Sequence, residues 1–174
     1  TLDLAIVDVT ENDEIPFVDS KGNIEGFALA GPAFITREVK GDAWSGNEKQ
    51  LAKLSNPDDI SRLVVFDTWT LNCDRYGPRS EDPLAKARIN RQNVLLSEEG
   101  LPGKLLLKAI DHTHCFTCGR TLTKGVNGLD NIRDQRVFGK FPEFVPFLDR
   151  KVVQDAARRL GEIDRATIEP MLSD

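Results

Sequence analysis

The spacing of apolar positions is strand-like near the start of the chain and helix-like further on. Residues 2–9 are rich in β-branched side chains and partly alternate, which predicts a strand. Residues 10–23 are polar and predict a loop with one short strand at most. Residues 26–34 are apolar but contain Gly31 and Pro32, so we expect a strand that runs out into a connector. We therefore expect strands over residues 1–40 and a mostly helical region over residues 41–174.

Helical spacing dominates the region after residue 40. Residues 45–54 predict a short helix. Asn56 followed by Pro57 and two acids predicts the start of a longer helix, with Asn56 as its N-cap, that ends close to Asn72. Asp67 is the one polar residue on the apolar stripe of that helix. Residues 149–160 have amphipathic spacing, and a last short helix is expected over about residues 164–172.

Two short apolar segments, residues 93–96 and 105–110, interrupt the helical region. A turn-forming segment rich in Gly, Pro and acids separates them at residues 97–103, so we predict a β-hairpin. The predicted strands precede the predicted helices, and the hairpin lies among the helices. This order predicts an α+β fold in which strands and helices are segregated along the chain. The expected unit is a single domain.

Composition limits the classes of function. The chain has 174 residues, of which 40% are hydrophobic, and a net charge of -5, which argues against a general nucleic-acid-binding protein. Neither an 18-residue apolar run nor a signal-peptide pattern is present, and three cysteines do not make a disulfide framework. We therefore expect a cytoplasmic protein with no membrane partner. Because the chain begins at Thr1 directly with a strand pattern, we expect further polypeptide upstream.

Three polar residues lie where apolar runs end: Asp74, Asn93 and Asp111. Phosphoryl transfer from ATP requires a carboxylate beside the acceptor hydroxyl and oxygen ligands for Mg²⁺. Asp74 suits the first task, whereas Asn93 and Asp111 suit the second. The predicted hairpin brings the residue before its first strand close to the residue after its second strand, so the separation of Asn93 and Asp111 in sequence is geometrically reasonable.

The segments that carry these residues resemble the active-site segments of HipA-like kinases. The resemblance rests on residues 72–76 (NCDRY), 90–96 (NRQNVLL) and 109–112 (AIDH), with weaker support from residues 66–69, 31–34 and 149–172. That family has an atypical serine/threonine kinase fold related to phosphatidylinositol 3/4-kinases. The resemblance therefore implies hinge strands over residues 1–40 and a helical C-lobe with a catalytic-loop hairpin over residues 41–174.

The resemblance also implies roles for individual residues and for ligands. It implies ATP and Mg²⁺ as cofactors and a hydroxyl group on a protein or small molecule as the acceptor. Asp74 would be the catalytic base, with Arg75 beside it in the catalytic loop. Asn93 and Asp111 would bind the metal. At the hinge, the family pattern would place nucleotide-binding positions in the strand exit, at residues Phe34, Ile35 and Thr36.

Three departures from the family pattern keep other interpretations open. Asp74 and Asn93 are 19 positions apart, so we interpret about residues 77–90 as an insertion, which a surface loop absorbs at small entropic cost. Tyr76 occupies a position where related kinases often have His. The glycine-rich phosphate loop and the strand lysine do not precede these motifs, so an upstream segment or a partner chain would have to supply them. The alternatives are a catalytically silent kinase-like interaction module and a small-molecule phosphotransferase.

A second group of residues, in the sequence DHTHCFTC, contains metal ligands and thiols. His112, His114, Cys115 and Cys118 could form a zinc site or a redox pair, although no second ligand pair completes either motif. The simpler interpretation is packing of the segment that follows Asp111. Asp67 and Trp69 are expected to be structural, the first through a buried hydrogen bond and the second as a core aromatic.

Overall fold

A computed structural model describes residues 4–19, 21–77, 89–112, 114–115 and 135–168. The chain divides into two compact units, Thr1–Val39 and Lys40–Asp174. Both helices and strands are present, and the strands form small antiparallel sheets, so the fold is α+β as the sequence predicts.

The first unit consists of two antiparallel strand pairs. Strand β1 (Leu4–Val9) pairs with β4 (Gly31–Thr36), and β2 (Pro16–Val18) pairs with β3 (Ile24–Phe27). Two-stranded pairs bury little apolar surface by themselves. Accordingly Val9 is the buried hydrophobic residue among the described positions of this unit, whereas Ile6 and Phe17 are exposed.

The second unit combines a three-stranded sheet with helices. Its sheet has the order β5 (Gly41–Ala43), β6 (Val94–Ser97) and β7 (Leu106–Ala109), all antiparallel. The helical elements are α1 (Glu48–Leu51), α2 (Asp58–Trp69), α3 (Arg150–Gly161), α4 (Arg165–Ile168) and the 3₁₀ segments Arg91–Asn93 and Pro142–Phe147.

An aromatic cluster forms the centre of the second unit. Trp44 is 1% exposed, stacks on Phe144 at 5.1 Å between ring centroids and meets the Phe141 ring edge-on at 5.2 Å. Apolar residues of α1, of the segment between α1 and α2, of α2 and of the hairpin complete the core: Leu51, Leu54, Ile60, Leu63, Val64, Val94, Leu96 and Leu107. The core thus joins the hairpin to the helices.

The hairpin and the two longer helices, α2 and α3, lie where the sequence predicts them, but two residues differ from expectation. Asn56 does not cap α2, because its side chain accepts from the Leu107 N–H and donates to the Leu107 carbonyl oxygen at 2.9 and 3.0 Å. Trp69 is 45% exposed and is not a core residue, since α2 ends there. Strand β5 was not expected. Within the described residues, no helix is both long enough and apolar enough to cross a membrane.

The two tryptophans provide a matched test of this core. We expect Trp44→Ala to lower the free energy of unfolding by about 3–5 kcal/mol, because it leaves a cavity beside two phenylalanine rings. Trp69→Ala should cost about 1 kcal/mol or less, since nearly half of that side chain is already in water. Urea denaturation followed by far-UV circular dichroism measures both. Equal losses in the two variants would contradict the assignment of Trp44 to the core.

Candidate active site

The chain leaves α2 through a tight, hydrogen-bonded loop that carries Asp74. Leu71 has a left-handed backbone with φ 54°, which turns the chain sharply after Thr70. The Asn72 N–H then donates to the Asp67 carbonyl oxygen at 2.9 Å, and the Asn72 side-chain oxygen accepts from the Asp74 N–H at 3.1 Å. Such short-range side-chain bonds stabilise turns. They hold Asp74 in a fixed position, where the residue is only 4% exposed.

The base of the hairpin carries the other two predicted site residues. Asn93 ends the 3₁₀ segment that leads into β6, and Val94 is paired with Ala109 across the ladder. The Ile110 N–H donates to the Asn93 carbonyl oxygen at 3.2 Å, so Asp111 follows immediately after a contact with Asn93. Asp111 is exposed and has φ 53°, a conformation that Asp tolerates better than most residues.

One oxygen of the Asp74 carboxylate accepts hydrogen bonds from two side-chain amides. Its Oδ2 accepts from Asn93 Nδ2 at 2.8 Å and from Asn90 Nδ2 at 3.2 Å. Because a carboxylate can only accept, the nitrogen of each amide must face it. The amide oxygen of Asn93 is consequently directed away from Asp74. The structure thus brings Asp74 and Asn93 together, as the sequence analysis expects of residues in one site.

Arg75 connects three segments that are distant in sequence. Its guanidinium group is fully buried and pairs with the Asp67 carboxylate on α2. Arg75 Nε donates to the Asn93 carbonyl oxygen at 3.1 Å, and Nη2 donates to the Ile110 carbonyl oxygen at 2.8 Å. These bonds hold the loop against both strands at the base of the hairpin. In this structure, Arg75 therefore braces the site.

Asp67 is the buried counterion of Arg75, and the expected buried hydrogen bond is confirmed. Its Oδ1 accepts from Arg75 and from Asn72, whereas Oδ2 is buried with no hydrogen-bond partner among the described residues. Gly139, with φ 69°, packs so closely on this carboxyl group that a Cβ there would overlap it. Burial raises the pKa of Asp67, and this effect exceeds the opposing effects of Arg75 and Asn72.

The two ends of the segment that separates Asp74 from Asn93 are joined by backbone hydrogen bonds. Tyr76 and Ile89 form an isolated antiparallel bridge, and the Asn90 N–H donates to the Arg75 carbonyl oxygen at 2.9 Å. The expected insertion at about residues 77–90 lies largely outside the described residues. Its two ends nevertheless meet, so Asn90 and Asn93 return to the loop that carries Asp74.

The predicted nucleotide-binding residues belong to the first unit. Phe34, Ile35 and Thr36 form the end of β4, where their backbones are paired with Ile6, Ala5 and Leu4 of β1. The side chain of Ile35 is about half exposed.

Asn90 is a residue of this site to which the sequence analysis gave no role. The feature of the sequence that could have identified Asn90 is the repetition of Asn at positions 90 and 93. Residues three apart lie on the same face of a 3₁₀ turn, which lets both amides reach one carboxylate.

The histidines and cysteines after β7 do not form a common ligand set in the part of the chain that is described. The His112 ring packs edge-on against Phe66 at 5.2 Å between centroids, whereas His114 Nδ1 lies 3.8 Å from Asp74 Oδ2. Over the same described ranges, no group of three or more His, Cys, Asp or Glu has the arrangement of a metal site. Cys118 lies outside the described residues.

The pKa values of His112 and Cys115 are shifted in the directions that favour their neutral forms. Burial lowers the pKa of His112, with a further contribution from the Arg75 charge and an opposing one from Asp111. Burial also raises the pKa of the Cys115 thiol, although a hydrogen bond with Thr70 opposes this effect. A raised pKa lowers the thiolate fraction of Cys115, and the thiolate is the reactive form of cysteine.

Comparisons with protein-family models, with curated proteins and with solved structures found no match to this chain.

Arg75 should be essential for the stability of the second unit. We expect Arg75→Met to lower the free energy of unfolding by about 3–5 kcal/mol, because it leaves Asp67 buried without its counterion. Arg75→Lys should recover little, since one ammonium group cannot reproduce the three-way guanidinium contact. Arg62→Met on the exposed face of α2 is the matched control and should change stability by about 0.5 kcal/mol or less. Urea denaturation would contradict this assignment if Arg75→Met behaved like Arg62→Met.

The raised pKa of Asp67 predicts a pH dependence of stability. The folded chain keeps the Asp67 proton at pH values where the unfolded chain, with the ordinary pKa of 3.8, has released it. This stabilising contribution is present at low pH and is lost as the pH rises through the raised folded-state pKa. The difference in urea midpoint between Asp67→Asn and wild type should therefore change with pH, in favour of Asp67→Asn as the pH rises above about 4. A pH-independent difference would contradict the raised pKa.

Proposed function

We propose that this protein is an ATP- and Mg²⁺-dependent phosphotransferase, specifically a protein serine/threonine kinase of the HipA-like type. The second unit would be the equivalent of the C-lobe of that atypical kinase fold. The observation that carries the proposal is the contact between Asp74 and Asn93. Asp111 directly follows Ile110, whose N–H donates to the Asn93 carbonyl oxygen. Asp74 lies in the loop after α2, whereas Asn93 and Asp111 lie at the two ends of one hairpin. The resemblance to the family implies the same arrangement.

The donor atoms at the base of the hairpin fit a hard divalent cation. Asn93 presents an amide oxygen on the side away from Asp74, and Asp111 is an exposed carboxylate at the end of the paired strands. Oxygen donors of this kind suit Mg²⁺, which usually binds one or two protein carboxylate or carbonyl groups together with substrate phosphates. Asn93 and Asp111 would hold the ion, which would neutralise charge on the transferred phosphoryl group.

Asp74 is the proposed catalytic base. It would accept the proton of the acceptor hydroxyl and orient the hydroxyl oxygen towards the phosphorus atom. The amides of Asn90 and Asn93 keep its carboxylate in one orientation, because both donate to the same oxygen. Arg75 would hold the loop and the hairpin at a fixed separation and would not contact the phosphates, since its donors are directed to Asp67 and to two backbone carbonyls.

We also propose a nucleotide-binding region and a cellular location. Phe34, Ile35 and Thr36 are the proposed hinge positions for ATP, and the groups that grip the phosphates would come from an upstream segment or a partner chain. The proposed acceptor is a protein hydroxyl, and the proposed compartment is the cytoplasm, in keeping with an acidic chain that has few cysteines.

Transfer of radiolabelled γ-phosphate from ATP by the full-length protein tests this function. Wild type should transfer phosphate in the presence of Mg²⁺ and lose this activity with EDTA. Asp74→Asn and Asp111→Asn should each reduce the rate by at least about a hundredfold, since they remove the base and a metal ligand. Asp42→Asn, which makes the same chemical change at an exposed strand position, is the matched control and should leave the rate unchanged.

The same assay distinguishes the alternatives. Undiminished transfer in both Asp74→Asn and Asp111→Asn would contradict the proposed site. Full-length protein that neither binds Mg²⁺ and ATP nor transfers phosphate would instead be a silent kinase-like module. Transfer to small hydroxyl compounds but to no protein would identify a small-molecule phosphotransferase.

A further inference from the structure

The turn that follows β7 brings a histidine back to the proposed catalytic base. Asp111, with φ 53°, changes the chain direction after the last paired residues, and the Cys115 N–H closes a turn on the His112 carbonyl oxygen at 3.1 Å. This turn places His114 Nδ1 3.8 Å from Asp74 Oδ2. The proposed mechanism assigns no role to His114.

The contact of His114 with Asp74 complements those of the two amides. Asn93 and Asn90 approach Oδ2 from the chain that leads into β6, at 2.8 and 3.2 Å, whereas His114 approaches the same atom from the chain that leaves β7. The Asp74 side chain is 6% exposed and that of His114 is 26% exposed, so the imidazole lies nearer to solvent than the carboxylate does. Polar groups from both ends of the hairpin therefore converge on one oxygen.

We propose that His114 is a positioning residue for Asp74. This inference rests on the proposed function, since the group being positioned is the proposed base. Neutral imidazole with the proton on Nδ1 is a hydrogen-bond donor towards Oδ2. The distance of 3.8 Å is longer than a direct hydrogen bond, so the proposed contact requires the two side chains to move closer by about 1 Å when substrate binds. His114 thereby limits rotation of the carboxylate together with the two amides.

The surroundings contain other ionisable groups that a test must separate from His114. They are Asp67 on α2, Arg75 beside Asp74, and Asp111, His112 and Cys115 on the same turn as His114. His112 is directed to Phe66 and not to Asp74, and it provides a control with the same side chain two positions away. Residues 1–174 contain two histidines, His112 and His114, and substituting each in turn identifies its signals.

Two substitutions separate a positioning role from a purely structural one. Asn places its amide nitrogen the same number of bonds from the backbone as Nδ1, whereas Gln places its amide nitrogen further out. We expect His114→Asn to keep kcat within about threefold of wild type and His114→Gln to lower it about tenfold to a hundredfold, because small misplacement of a reacting group is costly. The KM for ATP should change little in either variant. His112→Asn and His112→Gln should give rates equal to one another.

A second measurement does not depend on activity. In ¹⁵N-labelled full-length protein, the ring nitrogen shifts of His114 should report the Nδ1–H tautomer in wild type. Asp74→Ala should shift His114 towards the Nε2–H tautomer, because the acceptor is removed, and should leave the His112 shifts unchanged.

The two measurements together decide the inference. Unchanged His114 shifts in Asp74→Ala, or equal rates for His114→Asn and His114→Gln, would overturn it. If wild type transfers no phosphate, the proposed function fails, and the nitrogen shifts alone then decide whether His114 positions Asp74.

Discussion

The buried guanidinium group of Arg75 is the constraint on which the rest of the second unit depends. A charge without solvent is tolerated only when its counterion and its hydrogen-bond acceptors are in place. Here the counterion comes from α2 and the acceptors are the carbonyl oxygens of Asn93 and Ile110. None of these segments can shift without leaving part of the guanidinium unsatisfied. The positions of the loop and the hairpin are therefore set by a directional polar contact and not by apolar packing alone.

The aromatic core also stabilises the contact between Arg75 and Asp67. The segment before the 3₁₀ turn at Pro142–Phe147 reaches the loop through Gly139, whose N–H donates to the Tyr76 carbonyl oxygen at 2.9 Å. Phe141, two residues later, packs against Trp44 and also against the Tyr76 ring at 5.1 Å. Burial in the core thus fixes Gly139, Gly139 packs on Asp67, and Asp67 fixes Arg75. Residues remote in sequence from Asp74 consequently determine its position.

The parts of the fold that the sequence predicted are those set by local pattern. The hairpin follows from two short apolar runs around a turn, and the position of α2 follows from its apolar stripe and its acidic first turn. The α+β class could be predicted from the order of these elements, whereas the kinase-like architecture remains a proposal. The contact of Asp74 with Asn93 agrees with the family resemblance, which places both residues in one site. The hairpin geometry predicted only that Asn93 and Asp111 lie near one another, and the roles of all three residues remain predictions.

The features that were missed depend on partners distant in sequence. Asn is a residue type that often caps helices. The Asn56 side chain instead forms two hydrogen bonds with the backbone N–H and carbonyl oxygen of Leu107, and these determine its position. The segment Gly41–Ala43 has weak intrinsic preference for a strand, and the edge of β6 supplies its hydrogen bonds. The contacts of Asn90 and His114 with Asp74 likewise arise from chain reversals that no local pattern announces.

The bridge between Tyr76 and Ile89 has a consequence for how this chain can vary over evolutionary time. Because the bridge and the Arg75–Asn90 backbone bond hold the two ends together, the number of residues between them is uncoupled from the distance between Asp74 and Asn93. Chain can be added or removed there at an entropic cost that grows only slowly with length.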